Sequence, residues 1–215
     1  MALKVRLLFH STCFFVLTYG ILKNKWHNWY IITHNLNVLS LWNQWILWLF
    51  FLLSLVYDII LSLKSNHRIF REILTHYFNS IVFPMGIFVS VIFWSIFFMD
   101  TEFIIDLLRD VNNHIIHSLP LFMVLIEKFL VYHPYFQVLA HLIGIVMITT
   151  SYQTTVLFLR TNTGSWVYLF LDSFKFNSRL LFFLSMWPMM TVIYISGAKF
   201  NQYIWKNALS TLHRL

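Results

Sequence analysis

Charge is what this 215-residue chain has least of: Asp, Glu, Lys and Arg make up 11% of it, where an average soluble domain carries about a quarter. A chain this poor in charge cannot dress the surface of a soluble fold of its size. It has a single cysteine, Cys13, which excludes an internal disulfide and has no metal-ligand spacing around it, so it reads as a small packed residue. Only five glycines and four prolines occur, few for the Gly/Pro-interrupted helices that many transporters use. The fifteen basic residues exceed the eight acidic ones, giving a formal charge of +7. They are scattered among the loops and form no dense stripe, which argues against nucleic acid as a partner.

Apolar side chains fill the space that charge leaves. Hydrophobic residues account for 59% of the chain and aromatic ones for 20%, and the mean hydropathy is +0.70. A hydrocarbon core about 30 Å thick takes roughly 20 apolar residues per helical span. Six runs meet that need: Val5–Leu22, Val38–Leu63, Ile81–Met99, Asn113–Val131, Val138–Leu159 and Leu180–Tyr203. They are continuously apolar rather than alternating, which suits helices and excludes a closed barrel. The first run is long for a secretory signal and no small-x-small cleavage site precedes Lys23–Trp26, so it reads as a retained span. The expected fold is therefore all-α: residues 1–215 form a single six-span transmembrane helical bundle.

Loop composition sets the expected orientation. With an even number of spans the two termini share a side, and that side collects Lys4, Arg6, Lys64, Arg68, Arg71, Lys128, Lys199, Lys206 and Arg214. The other side holds Lys23, Lys25, Arg109, Arg160, Lys175 and Arg179, so the bias favours both termini in the cytoplasm. The first loop, with Trp26, His27, Trp29, Tyr30 and His34, has the aromatic character of a membrane interface. The second is basic and includes a short surface helix around Arg68–Tyr77. The third is acidic, with Asp100, Glu102, Asp106 and Asp110.

Ionisable and strongly polar groups inside hydrocarbon are costly, so each is a candidate for function. The set comprises His10, Ser40, Asn43, Gln44, Asp58, His114, His117, Glu127, Lys128 and His141. At about 1.5 Å per residue, Ser40 lies roughly 3 Å inside the second span and His117 roughly 6 Å inside the fourth. Both spans start from odd-numbered loops, so alternation brings a nucleophile and a base to one face of the membrane. Asp58 lies about 27 Å further along the second span, too far to complete a triad, and reads as an anchor beside Lys64 and Arg68. Glu127 reads as an ion-pair or inter-helix contact next to Lys128, and His10 and His141 as hydrogen-bonded bundle residues. His114 and His117 share a helix face, but no third ligand accompanies them, so no metal site is expected. Taken alone, Ser40 and His117 read more readily as hydrogen-bonding groups in helix packing than as a catalytic pair.

Ordered sequence blocks change that balance. Ser40-Leu41-Trp42-Asn43 with Asp58 is followed by Phe83-Pro84-Met85-Gly86-Ile87-Phe88 and Val91-Ile92-Phe93-Trp94. Next come Asn113-His114-Ile115-Ile116-His117 with Glu127, then Gly164 to Leu171, then Asn201-Gln202-Tyr203-Ile204-Trp205. From about Val38 to Asn207 this pattern resembles the androgen-induced gene 1 family. The resemblance implies a six-span intramembrane hydrolase of fatty acid esters of hydroxy fatty acids, with a threonine nucleophile at the position of Ser40 and a histidine base at that of His117. It further implies a lipid ester and the bilayer as partners, no cofactor, and residence in the endoplasmic reticulum or another endomembrane, or in the plasma membrane. This chain departs from the family pattern in three places: serine replaces threonine at 40, Asn43 replaces an acidic residue, and the proline after the histidine stands at 120. Asn43, one turn from Ser40, and His114 are the expected supporting residues, Asn43 as an oxyanion donor. The rival expectation is a non-enzymatic membrane protein, either a lipid-sensing regulator or a small-solute transporter.

Overall fold

The structure is a computed structural model that describes residues 2–23, 38–64, 67–99, 110–135, 137–168 and 170–212. The aromatic first loop and residues Asp100, Glu102, Asp106 and Arg109 of the third lie outside the described residues. Among the described residues every regular element is helical. In chain order these are α1 (Ala2–Lys23), α2 (Leu39–Ser62), α3 (Arg68–Tyr77), a π-helical turn (Phe78–Val82), α4 (Phe83–Met99), α5 (Val111–His117), α6 (Leu119–Leu130), α7 (Val138–Thr163), α8 (Phe170–Ser173) and α9 (Phe176–Leu212).

Five helical runs among the described residues are long and apolar enough to cross a membrane: Leu3–Lys23, Leu39–Ser62, Arg68–Phe98, Val138–Thr163 and Phe176–Lys206. They account for five of the six expected spans. The third differs from expectation in length. The short helix at Arg68–Tyr77 is present, but it continues without a loop through the π turn into α4. Pro84, the second residue of α4, has no N–H to return to the preceding turn, and the widened turn sits directly before it.

The expected fourth span, Asn113–Val131, is broken. It forms α5 of 7 residues and α6 of 12, divided at Ser118, and neither half reaches spanning length. Pro120 accounts for the division: it stands in the first turn of α6, where its missing N–H costs nothing, but inside a continuous helix it would clash with the carbonyl one turn earlier. The last helix also outruns expectation, covering 37 residues around an internal Pro188.

Packing follows the sequence period. On α2 the buried residues are Leu39, Ser40, Asn43, Gln44, Leu47, Phe50, Phe51, Ser54, Tyr57 and Asp58, a stripe advancing by three or four residues on one helix face. This stripe puts Ser40 and Asp58 on the same face at opposite ends. Its middle joins a core with Leu17, Phe78 and Val124, while Met85, Ile145, Met186 and Met190 of α4, α7 and α9 form a second core. Outward-facing Leu8, Phe15, Phe98, Leu139, Met147 and Leu181 are largely exposed, as expected of helices that meet lipid. Gly86 permits the α4–α6 approach, since a Cβ there would stand 2.8 Å from Val124 Cγ1.

Candidate functional site

Ser40 and His117 line one cavity. It has a volume of about 90 Å³, and its wall includes Leu39 and Ser40 of α2, Phe93 of α4, His117 at the end of α5, and the phenols of Tyr152 and Tyr168. Most of the remaining wall is apolar, from Phe88, Ile92, Phe182 and Met186. Residues 77 positions apart in sequence thus line one cavity, as alternation of helices allows.

The histidine is held in one tautomer. Its Nδ1 lies 3.1 Å from the carbonyl oxygen of Asn113. A carbonyl only accepts, so Nδ1 carries the hydrogen and Nε2 keeps its lone pair. The ring stacks on Phe93 with centroids 4.1 Å apart and planes inclined by 16°, which fixes its orientation. The break at Ser118 leaves His117 as the last residue of α5.

Ser40 is the second residue of α2, and the start of that helix is tied down by a group from elsewhere in the chain. The N-cap residue is Val38, which supplies no capping side chain. Tyr168 Oη instead accepts the Leu39 N–H at 3.2 Å, and Tyr152 donates its hydroxyl to Tyr168 at 2.8 Å. Burial pushes the Tyr168 phenol above its ordinary pKa, so it stays a neutral hydrogen-bonding group. The two tyrosines were not among the sequence candidates. The signal for Tyr168 was the Trp166-Val167-Tyr168 segment, whose aromatic character gives no hint of which helix end it caps, and Tyr152 in α7 carried none.

Asn43 and His114 stay off the cavity wall. Asn43 is fully buried, and neither its Nδ2 nor its Oδ1 has a hydrogen-bond partner among the described residues. His114 Nδ1 lies 3.2 Å from Ser118 Oγ, across the break between α5 and α6. The structure brings together the two principal candidates and leaves both supporting ones aside.

Comparison with known proteins places the chain in a family. The family model described as FAR-17a/AIG1-like protein matches residues 1–202. The chain belongs to the FAR-17a/AIG1-like family. The match takes in α1, which the motif blocks beginning at Val38 had left out. Among similar FAR-17a/AIG1-like relatives, the human androgen-induced gene 1 protein is 34% identical over 130 residues, covering 58% of this chain and 55% of that protein. The androgen-dependent TFPI-regulating protein of Mesocricetus auratus is 31% identical over 133 residues, covering 60% and 58%. Its mouse counterpart is 28% identical over 141 residues, covering 63% and 60%. The chain thus spans rather more than half the length of the curated relatives it matches. No solved structure matches.

Gln44 stays at the Ser40 end, near Gly20 of α1, whereas the remaining ionisable positions gather at the far end of the bundle. Asp58 does not anchor to Lys64 or Arg68. It pairs with Arg6 and accepts a hydrogen bond from His10, both on α1, while Arg68 pairs with Glu72. Glu127 is an inter-helix contact, accepting from His10 at 2.8 Å and from His133 at 2.9 Å. Lys128 turns away from it, donating to Tyr135 Oη at 2.6 Å with its ammonium 4.2 Å from the Phe83 ring centroid. His141 is a hydrogen-bonded bundle residue, 3.1 Å from Tyr194 Oη.

Proposed function

We propose that this chain is an integral-membrane lipid esterase, a single six-span domain that hydrolyses fatty acid esters of hydroxy fatty acids with Ser40 as nucleophile and His117 as base. The observation that carries the reading is the shared cavity, whose lining includes both Ser40 and His117, the latter with its Nδ1 on the Asn113 carbonyl, among apolar side chains. His117 Nε2 takes the Ser40 proton as Oγ bonds to the ester carbonyl carbon. Collapse of the tetrahedral intermediate breaks the bond to the alkoxy oxygen, which leaves with that proton as the free hydroxy fatty acid. Water then adds to the acyl-serine, His117 again carries the proton, and the fatty acid departs with Ser40 restored. The apolar lining from α4 and α9 suits the part of the acyl chains nearest the ester, and the small volume leaves the rest of both chains to the bilayer.

The test is hydrolysis of a panel of branched, simple and glycerol esters by detergent-purified protein. Ser40→Ala and His117→Ala are expected to abolish turnover while the folded protein persists; activity retained in both overturns the assignment. The rival reading, a non-enzymatic regulator or small-solute transporter, draws on the buried chain of ionisable groups Asp58, His10, Glu127 and His133. A serine-reactive lipid-esterase probe separates the two, since a covalent adduct at Ser40 belongs to the esterase alone.

A further inference from the structure

A second and larger cavity lies at the other end of the bundle. Its volume is about 310 Å³, and its lining includes Arg6 and His10 of α1, Ser54 and Tyr57 of α2, Arg71 and Thr75 of α3, and Trp205 of α9. Ser54 and Tyr57 stand 14 and 17 residues beyond Ser40, so about 21–26 Å separates them from it along α2. This is the end of the bundle that carries the basic residues near both termini.

Hydrogen bonding fixes the charge balance around this cavity. Asp58 accepts from Arg6 and from His10 Nδ1, and Glu127 accepts from His10 Nε2 and from His133 Nε2. Carboxylates only accept, so both nitrogens of His10 carry hydrogens and His133 donates from Nε2. The positive charges of Arg6 and His10 thereby offset the negative charges of Asp58 and Glu127. Two cations remain. Lys128, fully buried beside Glu127 in sequence, faces the Phe83 and Tyr135 rings and has no carboxylate within salt-bridge distance among the described residues. Arg71, on the cavity wall, has no ion pair among the described residues. The cavity therefore has the Arg6 guanidinium and the His10 and His133 imidazoles beside the Glu127 carboxylate in its wall, the unpaired Arg71 guanidinium at its exposed rim, and the Ser54, Tyr57 and Thr75 hydroxyls around it.

We propose that this cavity binds a phosphate monoester, with Arg71 and Arg6 as its charged ligands. A guanidinium offers five N–H donors in a fork that matches phosphate oxygens, and Arg6 gives one of its terminal nitrogens to Asp58. The volume stands at the lower end of ligand pockets, which suits a head group rather than a whole lipid. Arg71 is exposed and marks the rim, so a phosphate can enter from the membrane surface while its acyl chains stay in the bilayer. The inference is independent of hydrolysis at Ser40, and each can fail without the other.

The experiment uses the full chain in detergent, with native mass spectrometry reading retention of dioleoyl phosphatidic acid against dioleoyl phosphatidylcholine. Preferential retention of phosphatidic acid is expected, reduced about fivefold in Arg71→Gln, a loss of the order of one basic contact near the membrane surface. Arg71→Lys should keep most of it, and Lys64→Gln, an exposed basic residue off the cavity, should change nothing. Thermal unfolding of each variant checks that the exposed substitution leaves the fold intact. Glycerol 3-phosphate is the second probe: if it binds and displaces the lipid, the site takes a soluble phosphate ester, and if it does not, the phospholipid is the ligand. Equal retention of the two lipids, or retention of phosphatidic acid unchanged in Arg71→Gln, overturns the proposal.

Discussion

His10 joins two carboxylates from different parts of the chain, with Nδ1 2.8 Å from Asp58 Oδ2 and Nε2 2.8 Å from Glu127 Oε2. All three side chains are at most 1% exposed, and they tie α1 to α2 and α6. Removing the imidazole leaves buried acids facing one another without a donor between them. Breaking a buried ionic contact this way costs about 3–5 kcal/mol, so His10→Ala should unfold well below the parent protein in detergent. Glu127→Gln, which keeps one acceptor oxygen for one of His10 and His133 and sets an amide donor before the other, should lose less. Equal thermal midpoints for His10→Ala and the parent would show that α1 does not depend on this contact.

General-base assistance is the quantity that His117 is asked to supply. Its removal should lower ester hydrolysis by about 10²–10⁴-fold, with the unfolding midpoint little changed because the residue sits at a helix end. Ser40→Thr tests the departure from the threonine expected of the family. Threonine keeps the hydroxyl and adds a methyl that restricts χ1, so the variant should retain the covalent probe adduct with an altered rate. Loss of the adduct in Ser40→Thr would mean that the recess around Leu39 and Phe93 has no room for the methyl.

The sequence revealed the helices whose apolar runs are unbroken: α1, α2, α7 and α9 all begin and end within a few residues of expectation or extend beyond it. It concealed the break at Ser118, because apolar content runs straight through Pro120 and length alone suggested one span. The sign was present, since a proline seven residues after Asn113 cannot sit in a helix interior without loss. Alternation of helices made it legible that Ser40 and His117 lie near one face of the membrane and so can share a cavity. The partners of Asp58 were not: they come from α1, 48 and 52 residues away, and nearby Lys64 and Arg68 offered a plausible local answer. Asn43 illustrates the limit of helical spacing. It shares the buried face of α2 with Ser40, yet it lies off the cavity wall.

Acid should weaken the anchoring of α5. Asp110 caps that helix by accepting the Asn112 N–H at 3.0 Å, and it pairs with Lys23 of α1 at 3.2 Å. The Asn112 N–H first, and Lys23 second, hold its carboxyl below the usual aspartate range. A group whose folded pKa is depressed contributes stability above its unfolded pKa, near 4, and loses it as pH falls through the folded value. The parent protein should therefore lose thermal stability below about pH 4. Asp110→Asn keeps a capping oxygen but no titrating charge, so its profile should be flatter over that range. Parallel profiles for the two proteins would remove Asp110 from the acid response.

Tyr168 should matter to turnover through the position of Ser40. Its hydroxyl accepts the first N–H of α2, at a helix start where Val38 provides no cap, and a helix N-terminus without a partner frays. Tyr168→Phe removes that acceptor and the acceptor of the Tyr152 hydroxyl together, at a cost of about 0.5–1.5 kcal/mol per lost hydrogen bond. Tyr152→Phe removes the hydroxyl that donates to Tyr168 and leaves the Tyr168 oxygen on the Leu39 N–H. If these phenols position the nucleophile, Tyr168→Phe should lower kcat more than Tyr152→Phe, with KM for a lipid ester nearly constant. The rate of probe labelling at Ser40 should fall in the same order. A rise in KM with kcat unchanged would instead assign Tyr168 to the wall that holds the acyl chain, because uniform loss of binding leaves the chemical step untouched.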